Sequence, residues 1–73
     1  MKATTYPTPI DNPTPLLVVV GSDRANKDYL LVYDADGELT ALRPGEQVEL
    51  PFDPAIEVAA LEGELIYSVE YFR

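Results

Sequence analysis

The sequence predicts an all-β protein: a small β-sandwich or partly open barrel of about six short antiparallel strands with an extended N-terminal arm. Three observations support this fold class. The apolar segments are short and either β-branched or alternating, turn residues (Gly, Pro and Asp) separate them at nearly regular intervals, and four of the seven prolines fall within residues 7–15. In a chain of 73 residues, we expect one small β domain over residues 16–73, preceded by an arm over residues 1–15.

The arm is predicted to be extended because of its prolines. Proline lacks a backbone N–H and its ring clashes with a preceding helical turn, so the segment can be neither a helix nor a central strand. A polyproline-like backbone is already partly fixed, which lowers the entropic cost of docking on another protein. We therefore expect the arm to bind a partner, and deletion of residues 1–14 to leave the body folded. The predicted contact residues are Tyr6, Pro7, Pro9, Ile10, Pro13 and Pro15.

The body begins with a continuous apolar run, Leu16 to Val20, which Gly21 closes. Such a run is typical of a strand that is buried on both faces. One cover would be the core of the domain, and the other could be a neighbouring chain. Residues 21–28 are polar and are predicted to form a loop.

Residues 28–43 are predicted to form a β-hairpin. In the first strand, Leu30 and Val32 share one face, and the opposite face carries Tyr29, Leu31 and Tyr33. The dipeptide Asp36-Gly37 is a strong two-residue turn signal, so that residues 38–42 form the returning strand. Residues 43–46 fit a type II turn, because Gly45 can adopt the positive φ that the third position requires.

Residues 47–52 alternate strictly and are predicted to form a half-exposed strand, with Pro51 indicating a sheet edge. Residues 53–62 allow two structures. Asp53 and Pro54 suit the start of a helix that ends before Gly63, whereas the strand that we favour turns Ile56, Val58 and Ala60 towards the core.

If residues 53–62 form the strand that we favour, Glu62-Gly63 makes a tight hairpin to the last strand, residues 64–72. Alternation places four residues of this strand on one face: Leu65, Tyr67, Val69 and Tyr71. Ile66 and Phe72 lie on the opposite face, which is half apolar, and we expect them to contact a partner.

The composition argues against catalysis and against cofactors. The chain has neither cysteine nor histidine, so zinc sites and the Ser-His-Asp and Cys-His arrangements are not expected. The stretch Asp34 to Glu38 resembles the opening of an EF-hand loop, but Gly45 stands where that loop needs its final glutamate. We therefore interpret it as a turn, and expect no catalytic, cofactor or metal site.

Acidic residues dominate the second half of the chain. The net charge is −8, and residues 34–70 hold ten acidic side chains and the single base Arg43. Phosphate backbones and anionic membranes would be repelled by this half, so neither nucleic acid nor a membrane is an expected partner. Residues 1–15 have no apolar signal-peptide core, which predicts synthesis in a cytoplasm without a secretion signal.

The arm TTYPTPIDNPTP, the turn-rich β body and the stretch ELTALRPGEQVELP together resemble the small β-sandwich or jelly-roll cement (decoration) proteins of tailed bacteriophage capsids. The resemblance implies a non-enzymatic structural protein on the virion surface, a trimer or dimer that binds a major capsid protein. The alternative is an acidic inhibitor or immunity protein that uses residues 34–70 to mimic nucleic acid or plug a basic active site. A third hypothesis is a glycan-binding module with an exposed platform of tyrosines, namely Tyr29, Tyr33, Tyr67 and Tyr71.

Overall fold

Eight β-strands form two four-stranded antiparallel sheets in the computed structural model, which describes residues 1–5, 7–9 and 16–72. The strands are β1 Lys2–Ala3, β2 Thr8–Pro9, β3 Leu17–Ser22, β4 Leu30–Tyr33, β5 Leu39–Leu42, β6 Gln47–Pro51, β7 Glu57–Ala60 and β8 Leu65–Phe72. Six of them have four or more residues. The all-β sandwich predicted from the sequence is therefore confirmed.

The strand order is that of a jelly roll. The first sheet has the order β1-β8-β3-β6 and the second has the order β2-β7-β4-β5. The strands pair as in one long antiparallel hairpin, or ribbon: β1 pairs with β8, β2 with β7, β3 with β6 and β4 with β5. Rolling that ribbon brings β8 beside β3 and β7 beside β4, which is the double Greek key of this architecture.

The proline-rich segment supplies the first two strands of the roll. Lys2 pairs with Ile66 and Thr8 pairs with Val58, both at outer edges of the sheets. An edge is where a proline-containing strand is tolerated, because the missing N–H then faces away from the ladder. Ala3 is fully buried in the core. The predicted boundary at residue 15 thus does not apply to β1 and β2, and we now expect deletion of residues 1–14 to destabilise the body.

The core lies between the two sheets and follows the predicted alternation. From β3 and β8 of the first sheet, Val18, Val20, Leu65 and Tyr67 point inward. From the second sheet the inward set is Leu30, Val32, Leu42, Val58 and Ala60, with Ile56 beside it. The alternating apolar side chains of residues 47–52, namely Val48 and Leu50 on β6 and Phe52 directly after it, pack partly buried against this cluster.

Strand β3 is buried by the chain itself on one face. The apolar run was expected to be buried on both faces, with a neighbouring chain as a candidate for the second cover, and among its valines and leucines Val18 and Val20 are buried. Leu17 is 37% exposed and Val19 is half-buried, because both lie on the outer face of the first sheet. The core covers the inner face as predicted, and cover of the outer face by a neighbouring chain stays a prediction.

Two turns depend on glycines with positive φ. The β4–β5 hairpin is closed by residues 34–38, where Gly37 has φ of 81° and its N–H donates to the Asp34 carbonyl at 3.0 Å. The turn thus forms over Asp34 to Gly37, where the sequence predicts it. It is not the two-residue type I′ form that Asp36-Gly37 signals, since that form would also require positive φ at Asp36. At residues 43–46 the predicted type II turn forms, with φ of 86° at Gly45 and an Arg43–Glu46 backbone bond of 3.0 Å.

Within residues 53–62, the favoured strand forms over Glu57–Ala60 as β7. Asp53 begins a turn in which its Oδ1 accepts the Ala55 N–H at 2.8 Å, and β7 follows. The hairpin predicted at Glu62-Gly63 is wrong, because β7 and β8 lie in different sheets. Residues 61–64 instead cross between the sheets, as the rolled topology requires.

Candidate protein-binding surface

The predicted contact residues fall into two groups. Tyr6, Ile10, Pro13 and Pro15 lie outside the described residues, Pro7 is exposed, and Pro9 belongs to β2. Ile66 and Phe72 are 48% and 46% exposed, both on the outer face of the first sheet. Their orientation away from the core is the one that the alternation in β8 predicts.

A row of exposed apolar side chains crosses one end of this outer face. Leu17 lies opposite Phe72 on one side and Pro51 on the other, so the row spans β8, β3 and β6. Residues opposite each other in antiparallel strands share a face and lie within contact distance. Leu16, which is 72% exposed, precedes the row in the chain. We call Leu16, Leu17, Pro51 and Phe72 the apolar row.

Backbone hydrogen bonds and ring packing hold the apolar row in place. The Leu16 N–H donates to the Phe72 carbonyl at 2.8 Å, and the Leu16 carbonyl accepts the Phe52 N–H at 3.0 Å. Beneath the row, on the core side, the rings of Phe52 and Tyr71 meet edge to face with centroids 6.3 Å apart. The exposed side chains therefore stand on a rigid, paired backbone, which lowers the entropy that binding would cost.

Carboxylates border the apolar row. The next position along the strands places Val19 between Glu49 of β6 and Glu70 of β8, and both glutamates are exposed. One position further, Gly21 lies between Gln47 and Ser68. The outer face thus changes from apolar to acidic to small and polar over three successive rows.

Ile66 lies at the far end of the same face, beside Lys2 of β1. Its backbone is fixed by Asn26, whose Nδ2 donates to the Ile66 carbonyl at 2.7 Å and whose Oδ1 accepts the Ile66 N–H at 2.8 Å. The same Nδ2 reaches Ser22 Oγ at 2.9 Å. Asn26 thereby continues the pairing of β8 where β3 has ended, an arrangement that the sequence analysis missed and that no local pattern signals.

The tyrosines do not form one platform. Tyr67 is 6% exposed and Tyr71 packs against the core, whereas Tyr29 and Tyr33 lie on the second sheet, with Tyr29 42% exposed. Burial raises the pKa of the Tyr67 hydroxyl above its usual value, and the neighbouring Tyr71 raises this pKa further. The glycan-binding hypothesis predicted an exposed platform among these four tyrosines, and burial removes Tyr67 from it while Tyr29 stays exposed.

Asp34 stabilises the backbone of the turn that it begins. The Asp34 Oδ1 accepts the N–H groups of Asp36 and Glu38, each at 2.9 Å. No cluster of three or more potential metal ligands occurs among residues 1–5, 7–9 and 16–72. Within the same part of the chain, no helix has the length and apolarity to cross a membrane.

Three surface depressions have charged side chains among their described lining residues. Their volumes are about 290, 190 and 500 Å³. The lining of the second includes Asp34, Asp36 and Asp53. The third is lined by Lys27, Asp28, Glu62, Gly63, Glu64 and Leu65. None of the described lining residues of the three is a serine or threonine that could act as a nucleophile.

Comparison with known protein families, curated proteins and solved structures finds no match to this chain. The class defined by the fold and the surface is a small jelly-roll sandwich with an exposed apolar row on one outer face.

Proposed function

We propose that the chain is a non-enzymatic structural protein that stabilises a larger assembly, most specifically a cement or decoration protein of a bacteriophage capsid. The observation that carries the proposal is the apolar row, which exposes Leu17 and Phe72 together on a rigid sheet face, with the exposed Leu16 directly before them in the chain. Contiguous exposed apolar surface of this kind is typical of protein–protein contact sites. The resemblance in arm, body and turns adds the capsid as the specific assembly.

The chemistry of the surface limits the partner. The apolar row would fill a shallow apolar depression, and Glu49 and Glu70 beside it would meet lysine or arginine side chains at the rim of that depression. Opposite charges at a rim favour correct orientation and fast association more than they add affinity. The partner that we propose is therefore a protein lattice, such as a major capsid protein, with basic residues around an apolar pocket.

The arm contributes to the same contact in this proposal. Residues 10–15 lead directly into Leu16, so Ile10, Pro13 and Pro15 adjoin the apolar row in sequence. Many weak copies of the contact on one lattice would add up through multivalency. The protein would act as a homo-oligomer on the virion surface, after synthesis in the host cytoplasm, and would bind neither nucleic acid nor membrane.

The test is the composition and strength of virions. We expect the chain to copurify with particles of a tailed phage whose genome carries its gene. Capsids assembled without it should open at a lower temperature, and addition of the purified protein should restore the wild-type opening temperature. Virions that contain no copies of the chain would contradict the proposal.

Matched variants test whether the apolar row makes the contact. The double variant Leu16→Ser/Phe72→Ser removes two exposed side chains, and we expect it to stay folded but no longer to coat capsids. The control is Leu61→Ser, because Leu61 is 56% exposed and lies in the β7–β8 connection, away from the apolar row. Equal capsid binding by both variants would exclude the apolar row as the contact.

The acidic inhibitor remains a second candidate because of the exposed pair Glu49 and Glu70 on one sheet face. This function predicts a monomer whose binding weakens steeply with salt. Replacement of both glutamates by glutamine would then abolish binding, while Leu16→Ser/Phe72→Ser would leave it intact. If the chain is a decoration protein, Leu16→Ser/Phe72→Ser should abolish binding and replacement of both glutamates should leave it largely intact.

A further inference from the structure

The free edges of the two sheets differ in their ability to pair with another strand. Edges β1 and β2 have only two residues each. Edge β6 carries Pro51, which has no N–H to donate, and Glu49, which would face its own copy in a two-fold pairing. Short strands, prolines and charges are the usual protection of an edge. Edge β5, Leu39–Leu42, has none of these features.

The hydrogen-bond pattern shows which backbone groups of β5 are free. The Asp34 N–H donates to the Glu38 carbonyl, and bonded and non-bonded pairs alternate along an antiparallel ladder. Thr40 and Leu42 therefore bond to β4, while the N–H and C=O groups of Leu39 and Ala41 point out of the sheet. Within the described residues, no hydrogen bond reaches these groups. Leu39 is 52% exposed and Ala41 is exposed beside it.

We propose that β5 pairs antiparallel with β5 of a second copy of the chain, which joins the two second sheets into one eight-stranded sheet. This inference specifies the self-association that the proposed function includes. The register that uses all of the free groups pairs Leu39 with Ala41 of the second copy, and Thr40 then lies opposite the Thr40 of that copy on the two-fold axis. At each end of the pairing, the large side chain of Leu39 then lies opposite the small side chain of Ala41.

Charge complementarity supports this occupant and this register. Continued along the strands, the register places Arg43 of one copy opposite Gly37 of the other, between Asp36 and Glu38. The two-fold axis produces this contact twice, and all three charged side chains are exposed. Self-association also suits the size of the domain, because scaffolds of this size seldom have a large stability margin of their own.

The experiment is sedimentation of the full chain over a wide range of concentrations, without any capsid. We expect wild-type protein to form a reversible dimer and Ala41→Pro to be monomeric, because the proline removes an outward N–H and leaves the bonds to β4 in place. Glu49→Pro is the matched control on edge β6 and should remain dimeric. A wild-type chain that is monomeric throughout, or trimeric, would overturn the proposal.

A single engineered cysteine tests the register and does not depend on the proline variants folding. The chain has no cysteine, so Thr40→Cys can only link to a second copy. Opposed residues in a non-bonded antiparallel pair lie about 4.5 Å apart between Cα atoms, within the range of a disulfide. We expect Thr40→Cys to cross-link on mild oxidation and Leu39→Cys, which lies opposite Ala41, to remain largely unlinked. Equal cross-linking would exclude this register.

A charge exchange gives the third measurement. Arg43→Glu should raise the dimer dissociation constant about tenfold, in line with the cost of like charges at close range. Adding Glu38→Lys to Arg43→Glu should restore most of the affinity. If Glu38→Lys does not restore the dimer affinity of Arg43→Glu, the proposed register is wrong. A monomeric wild-type chain that still coats capsids would overturn the β5 pairing and leave capsid binding, the central claim of the proposed function, standing.

Discussion

The two sheets of the jelly roll use their outer faces in different ways. In the first sheet, β3 and β8 alternate between buried and exposed residues, so the outer face is open to solvent. In the second sheet, β4 and β7 are buried along most of their length. Leu31 and Ala59 are 9% and 3% exposed although they lie opposite each other outside the core cluster. The second sheet is thus buried on two faces, and the first sheet leaves one face open to solvent.

The largest difference is expected between the inner face of the second sheet and the outer face of the first. Leu30→Ala removes a fully buried side chain and should cost about 2–5 kcal/mol in the free energy of unfolding. Because domains of this size seldom exceed about 3–5 kcal/mol of stability, much of the variant should be unfolded at room temperature. Leu17→Ala should cost below about 1 kcal/mol. Urea denaturation followed by circular dichroism measures both.

The comparison between the two outer faces gives the second prediction. Leu31→Ala, on the outer face of the second sheet, should cost about 2 kcal/mol, at the low end for a buried leucine. Val19→Ala occupies the corresponding face of the first sheet and should cost below about 1 kcal/mol, since Val19 is only half-buried. The same urea titration compares the two variants. Equal costs would show that the outer faces do not differ in the way described.

A smaller effect is expected where Asn26 completes the first sheet. Asn26→Ala removes the two side-chain hydrogen bonds to the Ile66 backbone, leaves the bond from the Asp23 N–H, and should cost about 1–2 kcal/mol. Amide hydrogen exchange is the sharper measurement, because the Ile66 N–H should exchange faster in the variant. Arg24→Ala in the same loop serves as the control. Unchanged protection of Ile66 would show that this bond does not persist in solution.

The smallest effect is a loss of stability at alkaline pH through Tyr67. Its pKa is raised in the folded protein above the reference value of 10.0, so above pH 10 the unfolded chain loses this proton first. The contribution is complete below the unfolded pKa and is lost as pH rises towards the folded pKa. Tyr67→Phe should remove this part of the alkaline decline. Thermal melting from neutral to alkaline pH compares the variant with the wild type, and identical slopes would contradict the assignment.

The alternation in β6 and β8 predicted their inner faces correctly, and in β4 it grouped Leu30 with Val32 without showing that they face the core. A side-chain period of two is a local property of an extended chain. The type II turn at Arg43 to Glu46 was equally readable, since Pro44 fixes φ at the second position and Gly45 permits the positive φ at the third. Local signals failed at Glu62-Gly63, and at β3 they did not show which face the chain itself covers. Whether an apolar face is covered, and whether two successive strands pair, depends on distant parts of the chain.

The candidate site could be predicted only in part, for the same reason. The alternation in β8 placed Ile66 and Phe72 on one outer face, but it did not reveal that Leu17 and Pro51 extend Phe72 into a row across three strands. That row depends on the register of β3 with both neighbours. The unprotected edge at β5 likewise required the sheet order before its free groups could be recognised.

By itself the sequence determined the all-β class, the inner faces of the longer strands and the absence of cysteine and histidine chemistry, because each follows from residue identity and local periodicity. Only the tertiary structure decided that the ribbon rolls into two sheets and that the proline-rich start supplies their first strands. It also decided which apolar side chains stay exposed. Those features come from pairing between residues up to 66 positions apart, whose registers are set by the joint burial of all strands and by no single segment.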